Sequence, residues 1–297
     1  KKENFYIVEN TVDGKFFVTA RGWEDLSEIL KSYEELQVEI GEELIGEFLQ
    51  KEEIARDFAG YYRLYEKYKS DYQIQEILDG NVISGQLKTC CDMGKKASFE
   101  ERFTVTEMLL EAVTERISVF QKIDEKTEKL YENLKLLKIF LQEKNSVEAM
   151  EQFVASRRKA LDAKICSELL TAEEAAREEE QIRILEEYFF QLKELHISDV
   201  AEGIEQIGER FGNVCRLRNE KLEETKKMLE QAFSFLEECF GEGQELLLFE
   251  TGLTGDDRCS IFISQYGCPS YFKHCELLLY SKKENELRKE CRDLLEE

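Results

Sequence analysis

The chain of 297 residues carries 64 acidic and 41 basic side chains, which gives a net charge of −23 at pH 7. This charge argues against nucleic acid and anionic membranes as partners, because basic side chains are needed to bind either of them. The 42% of hydrophobic residues can form one or two cores, so wholesale disorder is excluded. Pro269 is the single proline, which predicts a mainly α fold built from long helices.

The sequence pattern over residues 1–80 predicts a short β-hairpin followed by a small helical bundle. Phe5–Val8 and Phe16–Thr19 are rich in aromatic and β-branched residues, and Asp13 and Gly14 between them form a turn signal. Beyond them, apolar residues recur at spacings of three and four, as in helices. The predicted helices cover about residues 23–36, 42–49, 53–68 and 72–78.

Residues 81–98 are the best candidate for a linker, because they contain Gly85 and Gly94 but few large apolar groups. Cys90 and Cys91 lie within this segment. We interpret them as two linker thiols rather than as a redox sensor, which would need an exposed thiol of low pKa.

The apolar spacing over residues 99–240 predicts three long antiparallel helices. Near-heptad apolar spacing from Leu109 to Leu141 corresponds to a rod of about 50 Å. Turns near Asn145 and His196 separate a second rod, about residues 147–195, from a third, about residues 200–240. The short connections favour a coiled-coil-like bundle. The helices could pack inside one chain or between the chains of a homo-oligomer, and the pattern does not distinguish the two.

Three features of the helices have a structural and a functional interpretation. We interpret the run from Glu173 to Glu180 as a solvated face rather than an acidic binding surface, and we expect the stretch as far as Gln181 to be exposed. The aromatic stripe Phe58–Tyr68 is interpreted as core rather than a ligand groove. Gly203, Gly208 and Gly212 each weaken the third rod by about 1 kcal/mol relative to Ala, or else allow close helix contact.

Residues 241–297 predict a tail of short helices at about 244–249, 257–266 and 271–280, then a charged amphipathic helix to Glu297. The tail holds four possible zinc ligands, at Cys259, Cys268, His274 and Cys275. Their C-x8-C-x5-H-C spacing fits no structural zinc pattern, so buried thiols are the favoured interpretation.

The cysteines and the ends of the chain suggest a compartment. The chain has nine cysteines but no CxxC pair, which predicts reduced thiols in a reducing compartment. The sequence shows neither a signal-peptide pattern nor a run of 18 apolar residues. We therefore expect a cytoplasmic protein that does not span a membrane.

Motifs for catalysis are missing from the sequence. It has no Walker A loop, no GxSxG nucleophile elbow and no HExxH zinc motif, and it has only two histidines. We therefore expect no catalysis by this chain alone and no cofactor within it.

The most distinctive segment runs from Phe17 to Ser27, where a predicted strand leads into a helix with Arg21 in its first turn. A guanidinium at such a place can reach a phosphate supplied by a neighbouring domain. The segment resembles the start of the sensor-2 helix in the C-terminal lid of MoxR-like AAA+ ATPases. The resemblance implies that Arg21 senses the γ-phosphate of ATP, and that Trp23 and Leu26 pack the helix.

The resemblance covers about the first quarter of the chain and implies a C-terminal lid with a helical extension that binds a partner or substrate protein. The catalytic core, with its ATP and Mg²⁺, would lie upstream of Lys1, and the absence of an initiator Met at position 1 fits a fragment. The family also suggests chaperone-like remodelling with von Willebrand factor A-domain partners. Arg21 pairing with Glu24 or Asp25 on the surface is an equal alternative.

Two other functions remain open. A non-enzymatic helical scaffold or adaptor requires only the three rods. A metal- or redox-responsive helical protein would use the thiols of the tail.

Overall fold

The computed structural model describes residues 6–11, 14–36, 38–80, 84–141 and 145–279. The fold is mainly helical with a short two-stranded sheet at the N-terminus, as predicted. Asp13 of the predicted turn and the predicted helix over 280–297 lie outside these ranges. No helix within them has both the length and the apolar character that crossing a bilayer requires.

The chain divides into two units. The N-terminal unit comprises Lys1–Ile77 and Asn81–Leu109, and the C-terminal unit comprises Leu78–Gly80 and Leu110–Glu297.

The N-terminal unit begins with the predicted hairpin. Strands β1 (Ile7–Thr11) and β2 (Gly14–Val18) pair antiparallel, with Val8 opposite Phe17. The first strand was predicted at Phe5–Val8, but the pairing continues through three polar residues to Thr11 because the hydrogen bonds of the ladder are made by the backbone.

Five helices follow in chain order: α1 (Ala20–Glu35), α2 (Glu42–Phe48), α3 (Glu52–Tyr72), α4 (Ile74–Asp79) and α5 (Ser84–Gly94). The side chain of Thr19 caps α1 by accepting a hydrogen bond of 3.1 Å from the Gly22 amide. The hairpin and the first three helices enclose one core, lined by Val18, Leu26, Ile45, Leu49, Ile54, Ala55 and Ala59.

The aromatic stripe of α3 is core only at its N-terminal end. Phe58 packs edge-on against Trp23, with ring centroids 5.2 Å apart, whereas Tyr61 is 48% exposed. The small residues Ala55 and Ala59 form the buried face instead, because α3 packs closely against this core. The stripe was therefore predicted as core over too long a span.

The segment predicted as a linker contains α5. Gly85 lies in the first turn of this helix and Gly94 is its last residue, where glycine costs little. Both Cys90 and Cys91 are buried rather than exposed. The thiol of Cys90 lies 3.7 Å from the carbonyl oxygen of Asp71, and burial raises its pKa.

The C-terminal unit is built from longer helices. They are α6 (Phe99–Phe140), which begins in the N-terminal unit, α7 (Ser146–Cys166), α8 (Ala172–Glu194), α9 (Val200–Phe240), α10 (Gln244–Gly255), α11 (Asp257–Tyr266) and α12 (Pro269–Leu279).

The end of α6, the helices α7 and α8, and the first half of α9 form an up-down-up-down bundle. Arg158 of α7 pairs with Glu186 of α8 at 2.7 Å. In the next pair, Arg210 of α9 donates to the Gln191 side chain of α8 at 2.7 Å. All four helices contribute to one core, lined by Leu130, Leu137, Leu141, Ala149, Met150, Phe153, Val154, Leu161, Ile182, Leu185, Tyr188, Leu192, Ile197 and Ile207.

The prediction of three rods over 99–240 is wrong for the second rod, which is two helices. Glu168 adopts a left-handed φ of 52° after α7. Thr171 then starts α8 with a capping box, in which its hydroxyl oxygen accepts from the Glu174 amide and the Glu174 carboxylate accepts from the Thr171 amide. Gln181, predicted to be exposed, is buried and donates to the carbonyl oxygen of Lys126 at 3.1 Å.

The second half of α9 packs against the short helices of the tail, which occupy nearly the predicted positions. The rings of Phe233 of α9 and Phe249 of α10 meet edge-on, with centroids 5.2 Å apart. The rings of Phe120 of α6 and Phe262 of α11 also meet edge-on, with centroids 5.5 Å apart. These aromatic contacts extend the core along α6 and α9.

The cysteines of the described residues do not all fit the prediction of reduced thiols. Cys90, Cys166, Cys215, Cys259, Cys268 and Cys275 are free. Cys91 and Cys239 are disulfide-bonded, so the prediction is wrong for these two.

Gly203 provides a test of the bundle. The Ser146 hydroxyl donates to the Ile197 carbonyl oxygen at 2.6 Å, and a Cβ on Gly203 would lie 2.5 Å from the Ser146 Cβ. Gly203→Ala should therefore lower the free energy of unfolding by about 1–3 kcal/mol in a urea titration. The control is Gly60→Ala, because a Cβ there meets nothing within 4 Å. Equal stability of the two variants would contradict the packing.

Candidate functional site

Arg21 lies where the sequence predicted it, in the first turn of α1 directly after the strand. Its side chain is 87% exposed, and its Nε lies 3.7 Å from a carboxylate oxygen of Asp25. This is the surface pairing that was the alternative to a nucleotide contact. Trp23 and Leu26 pack in the core beside it, as expected.

The possible zinc ligands of the tail are not gathered into one site. Cys259 contacts the Thr114 hydroxyl, Cys268 donates to Glu230 at 3.3 Å, and His274 pairs with Glu237. Burial raises the pKa of Cys259 to about 11 and that of Cys268 to about 12. Among the described residues, no group of three or more possible ligands could hold a metal ion.

A groove between α6 and α8 contains the acidic run. Its volume is about 910 Å³, and its walls carry both signs of charge. Lys126 pairs with Glu180 at 2.6 Å, and Arg177 pairs with Glu173 at 2.5 Å. Since these charges largely neutralise one another, the groove is a weak candidate for binding a charged ligand.

The strongest candidate is a cavity of about 590 Å³ between α6, α9 and α11. It lies wholly within the C-terminal unit. Its walls combine aromatic, polar and charged side chains, namely Asp124, Thr127, Glu128, Tyr131, Phe211, Cys215, Arg218, Asn219, Gln265 and Tyr266. We call this cavity the α6/α9 groove.

One end of the α6/α9 groove is closed by a partly buried charge network. Arg218 of α9 donates from Nε to Asp124 of α6 at 2.7 Å and from Nη2 to the Tyr266 hydroxyl of α11 at 2.7 Å. That hydroxyl donates to the second oxygen of Asp124, also at 2.7 Å. The guanidinium carbon lies 5.4 Å from the ring centres of both Phe120 and Tyr266. The network therefore fixes three helices at one point.

The floor of the groove is aromatic. Tyr131 of α6 stacks on Phe211 of α9 with ring centroids 6.0 Å apart, yet Tyr131 stays 54% exposed. Thr127 beside them is buried, and its hydroxyl is used within α6 by donating to the Ile123 carbonyl oxygen at 2.8 Å. A ligand would therefore meet ring faces rather than free hydrogen-bonding groups here.

Two exposed apolar side chains lie beyond the cavity, towards the end of the bundle. Ile139 of α6 is 61% exposed and Ile204 of α9 is 38% exposed. Because α6 and α9 are antiparallel, with Tyr131 opposite Phe211, these two isoleucines lie at the same level of the bundle. Gly208 of α9 lies between this level and Phe211, and a Cβ added at this glycine would meet nothing within 4 Å.

None of the charged residues of this site stands out in the sequence. Asp124, Arg218 and Tyr266 are separated by up to 142 positions along the chain. Asp124 falls one residue after Ile123 of the heptad pattern, where a carboxylate is unremarkable on a solvated helix. The available signal was Arg218, a cation near the apolar face of α9, which sequence alone cannot pair with an acid.

Removing the Tyr266 hydroxyl tests the network. Tyr266→Phe should lower the free energy of unfolding by about 1–2 kcal/mol at pH 7, because Arg218 and Asp124 each lose a hydrogen bond. Burial and the Asp124 hydrogen bond raise the pKa of Tyr266 above its ordinary value of 10. Its stabilising contribution is therefore complete below pH 10 and is lost as the pH rises through the raised pKa.

Urea titrations of both proteins at pH 7, 9 and 11 measure this difference, which should shrink at pH 11. Tyr131→Phe is the control, since Tyr131 contributes its ring rather than its hydroxyl to the stack. A difference that does not change with pH, or equal effects of the two substitutions, would contradict the network.

Comparisons with protein-family models, with curated proteins and with solved structures find no match for this chain. The residues of the chain itself are therefore the basis of the functional proposal.

Proposed function

We propose that this chain is a helical protein-binding module, and that the α6/α9 groove is its binding surface. The observation that carries the proposal is the exposure of large apolar side chains at the cavity and beyond it on the same two helices, at Tyr131, Ile139 and Ile204. The bundle core beneath them is already filled by residues of its own helices. Apolar surface gathered around a groove is characteristic of interaction sites.

The chemistry of the groove supports binding rather than catalysis. The donors of Arg218 are engaged by Asp124, Tyr266 and Asn219, so its charge is used in holding helices together. Cys215 is the one nucleophilic thiol among the lining residues, and neither histidine of the sequence lines the cavity to act as its base. A partner protein would instead contact rings and aliphatic side chains.

Site-directed photo-crosslinking tests this proposal. A photoreactive phenylalanine at position 139 or 204, in the full chain expressed in its native cells, should give the same adduct from both positions. The control is position 165, because Ile165 is 48% exposed but lies at the C-terminal end of α7, at the opposite end of the bundle. The absence of adducts from 139 and 204, or the same adduct from 165, would contradict the proposal.

The resemblance to an AAA+ lid gives a second candidate, in which the module is the extension of an ATPase. It is favoured by the place of Arg21, which follows a strand and a capped helix start and is 87% exposed. An exposed guanidinium in this position can approach the γ-phosphate on a neighbouring domain. Under this hypothesis, ATP and Mg²⁺ bind outside this chain, and the groove recruits the remodelled protein.

Substitution of Arg21 in the product of the full-length gene tests this second candidate. Arg21→Ala should reduce ATP turnover at least tenfold if Arg21 contacts the γ-phosphate. The control is Arg216→Ala, because Arg216 is also exposed and also forms an i,i+4 pair, with Glu220 at 3.8 Å. A full-length product without ATPase activity, or equal turnover in the two variants, would leave the non-enzymatic scaffold as the function.

A further inference from the structure

We infer that the groove between α6 and α8 binds an uncharged small molecule with an apolar body and one N–H or O–H donor, and that the side-chain oxygen of Gln181 accepts from this donor. We call it the α6/α8 groove, and it shares no lining residue with the α6/α9 groove. The inference therefore goes beyond the proposed protein-binding function and does not depend on it. It follows from one buried oxygen without a partner, from the apolar surface of the groove and from its paired charges.

Gln181 of α8 is the residue that indicates a ligand. It lines the groove, although only 6% of its surface is exposed. Its Nε2 donates to the Lys126 carbonyl oxygen of α6 at 3.1 Å. Because a carbonyl oxygen can only accept, this hydrogen bond fixes which end of the amide is the oxygen.

The oxygen of the Gln181 amide is left without a donor. It is buried, and none of the residues that the structure describes donates a hydrogen bond to it. An unpaired buried acceptor is unfavourable, so a ligand that supplies a donor to this oxygen gains more than an otherwise identical ligand without one. The oxygen therefore indicates both that the groove has an occupant and which polar group that occupant carries.

Apolar side chains line the same groove on both helices. Val119 and Ile123 belong to α6 and Ala176 belongs to α8, and Val119 is 45% exposed. The aliphatic stems of the lysines and arginines in the lining add apolar surface of the same kind. A volume of about 910 Å³ lies in the range of pockets that bind small organic molecules. We therefore expect a ligand with an apolar body.

The charges of the groove favour a ligand without charge. Six basic and five acidic side chains line it, and four of the basic ones are held in ion pairs with acidic ones. These pairs join Lys126 and Arg183 to Glu180, Arg177 to Glu173, and Arg158 of α7 to Glu186. The remaining side chains are two of each sign, namely Lys122, Lys129, Glu125 and Glu179. An anion or a cation would meet both signs of charge, whereas a neutral ligand leaves the ion pairs intact.

A purely structural role for Gln181 is the alternative. The hydrogen bond from its Nε2 to Lys126 ties α8 to α6 without any ligand. This role uses only the nitrogen of the amide and leaves the oxygen unexplained. An experiment that varies the donor of the ligand separates the two roles, because a structural amide has no effect on that comparison.

Two related dyes probe the groove. N-phenyl-1-naphthylamine is uncharged and aromatic, has one N–H donor, and fluoresces more strongly in apolar surroundings. Its N-methyl derivative is the matched control, because methylation removes the donor and keeps the rings. In fluorescence titrations of the full chain at pH 7, the parent dye should bind about tenfold tighter than the derivative, since only the parent pairs the buried oxygen.

Gln181→Met tests whether this preference comes from the amide oxygen. Methionine has nearly the volume of glutamine but no strong acceptor. The variant should bind the two dyes within about twofold of each other, because it weakens the parent dye and leaves the derivative unchanged. Circular dichroism checks that the helices of the variant are intact.

A steric variant locates the dye without altering Gln181. Ala176 is exposed on α8 and lines the groove, so Ala176→Trp fills the groove from its surface and should weaken the parent dye about tenfold. Ala160→Trp is the control, because Ala160 is exposed on α7 and is not a lining residue. It should leave the affinity within about twofold of the wild type.

Three results would overturn the inference. They are equal affinities of the two dyes for the unmodified chain, a preference for the parent dye that persists in Gln181→Met, and binding that Ala176→Trp leaves unchanged. Positions 139 and 204 lie outside the lining of this groove. Crosslinking from them is therefore a separate result, and it tests the proposed function alone.

Discussion

The pairing of α6 with α9 is the constraint on which the C-terminal unit depends, and the Arg218–Asp124–Tyr266 network fixes it. A partly buried guanidinium would destabilise the fold if it stood alone, because its desolvation must be offset by hydrogen bonds and an opposite charge. Here both carboxylate oxygens and the phenol are engaged. A shift of one residue along either helix would separate these groups, so the network sets which residues face the groove.

The sequence predicted the helices well where a regular apolar pattern decided the outcome. The near-heptad positions of α6 are largely buried, including Leu109, Ile117 and Leu137. The prediction failed at the second rod because the apolar periodicity resumes in phase after the break. The pattern therefore does not show the loop at Glu168. The Thr171-x-x-Glu174 capping box was the local signal for this break. In the predicted linker, the glycines misled because they lie at the ends of α5.

The candidate site could not be predicted in the same way, because its residues meet only through tertiary packing. Arg21 was selected because it stands next to recognisable local features, a strand end and a helix start. Arg218 has no such neighbours, and the distance of 142 residues between Asp124 and Tyr266 carries no sequence pattern. The composition did predict part of the electrostatics. Because acidic side chains outnumber basic ones, some carboxylates along α9 are expected to have no basic partner.

The glycines of α9 lie in two different environments within a single helix. At Gly203 the missing side chain is required by Ser146 of α7, and the loss of helix propensity is offset by close packing inside the bundle. At Gly208 and Gly212 the same loss has no offset among the described residues. A side chain at either position should therefore stabilise α9 through its helix propensity, whereas a side chain at Gly203 would collide with Ser146.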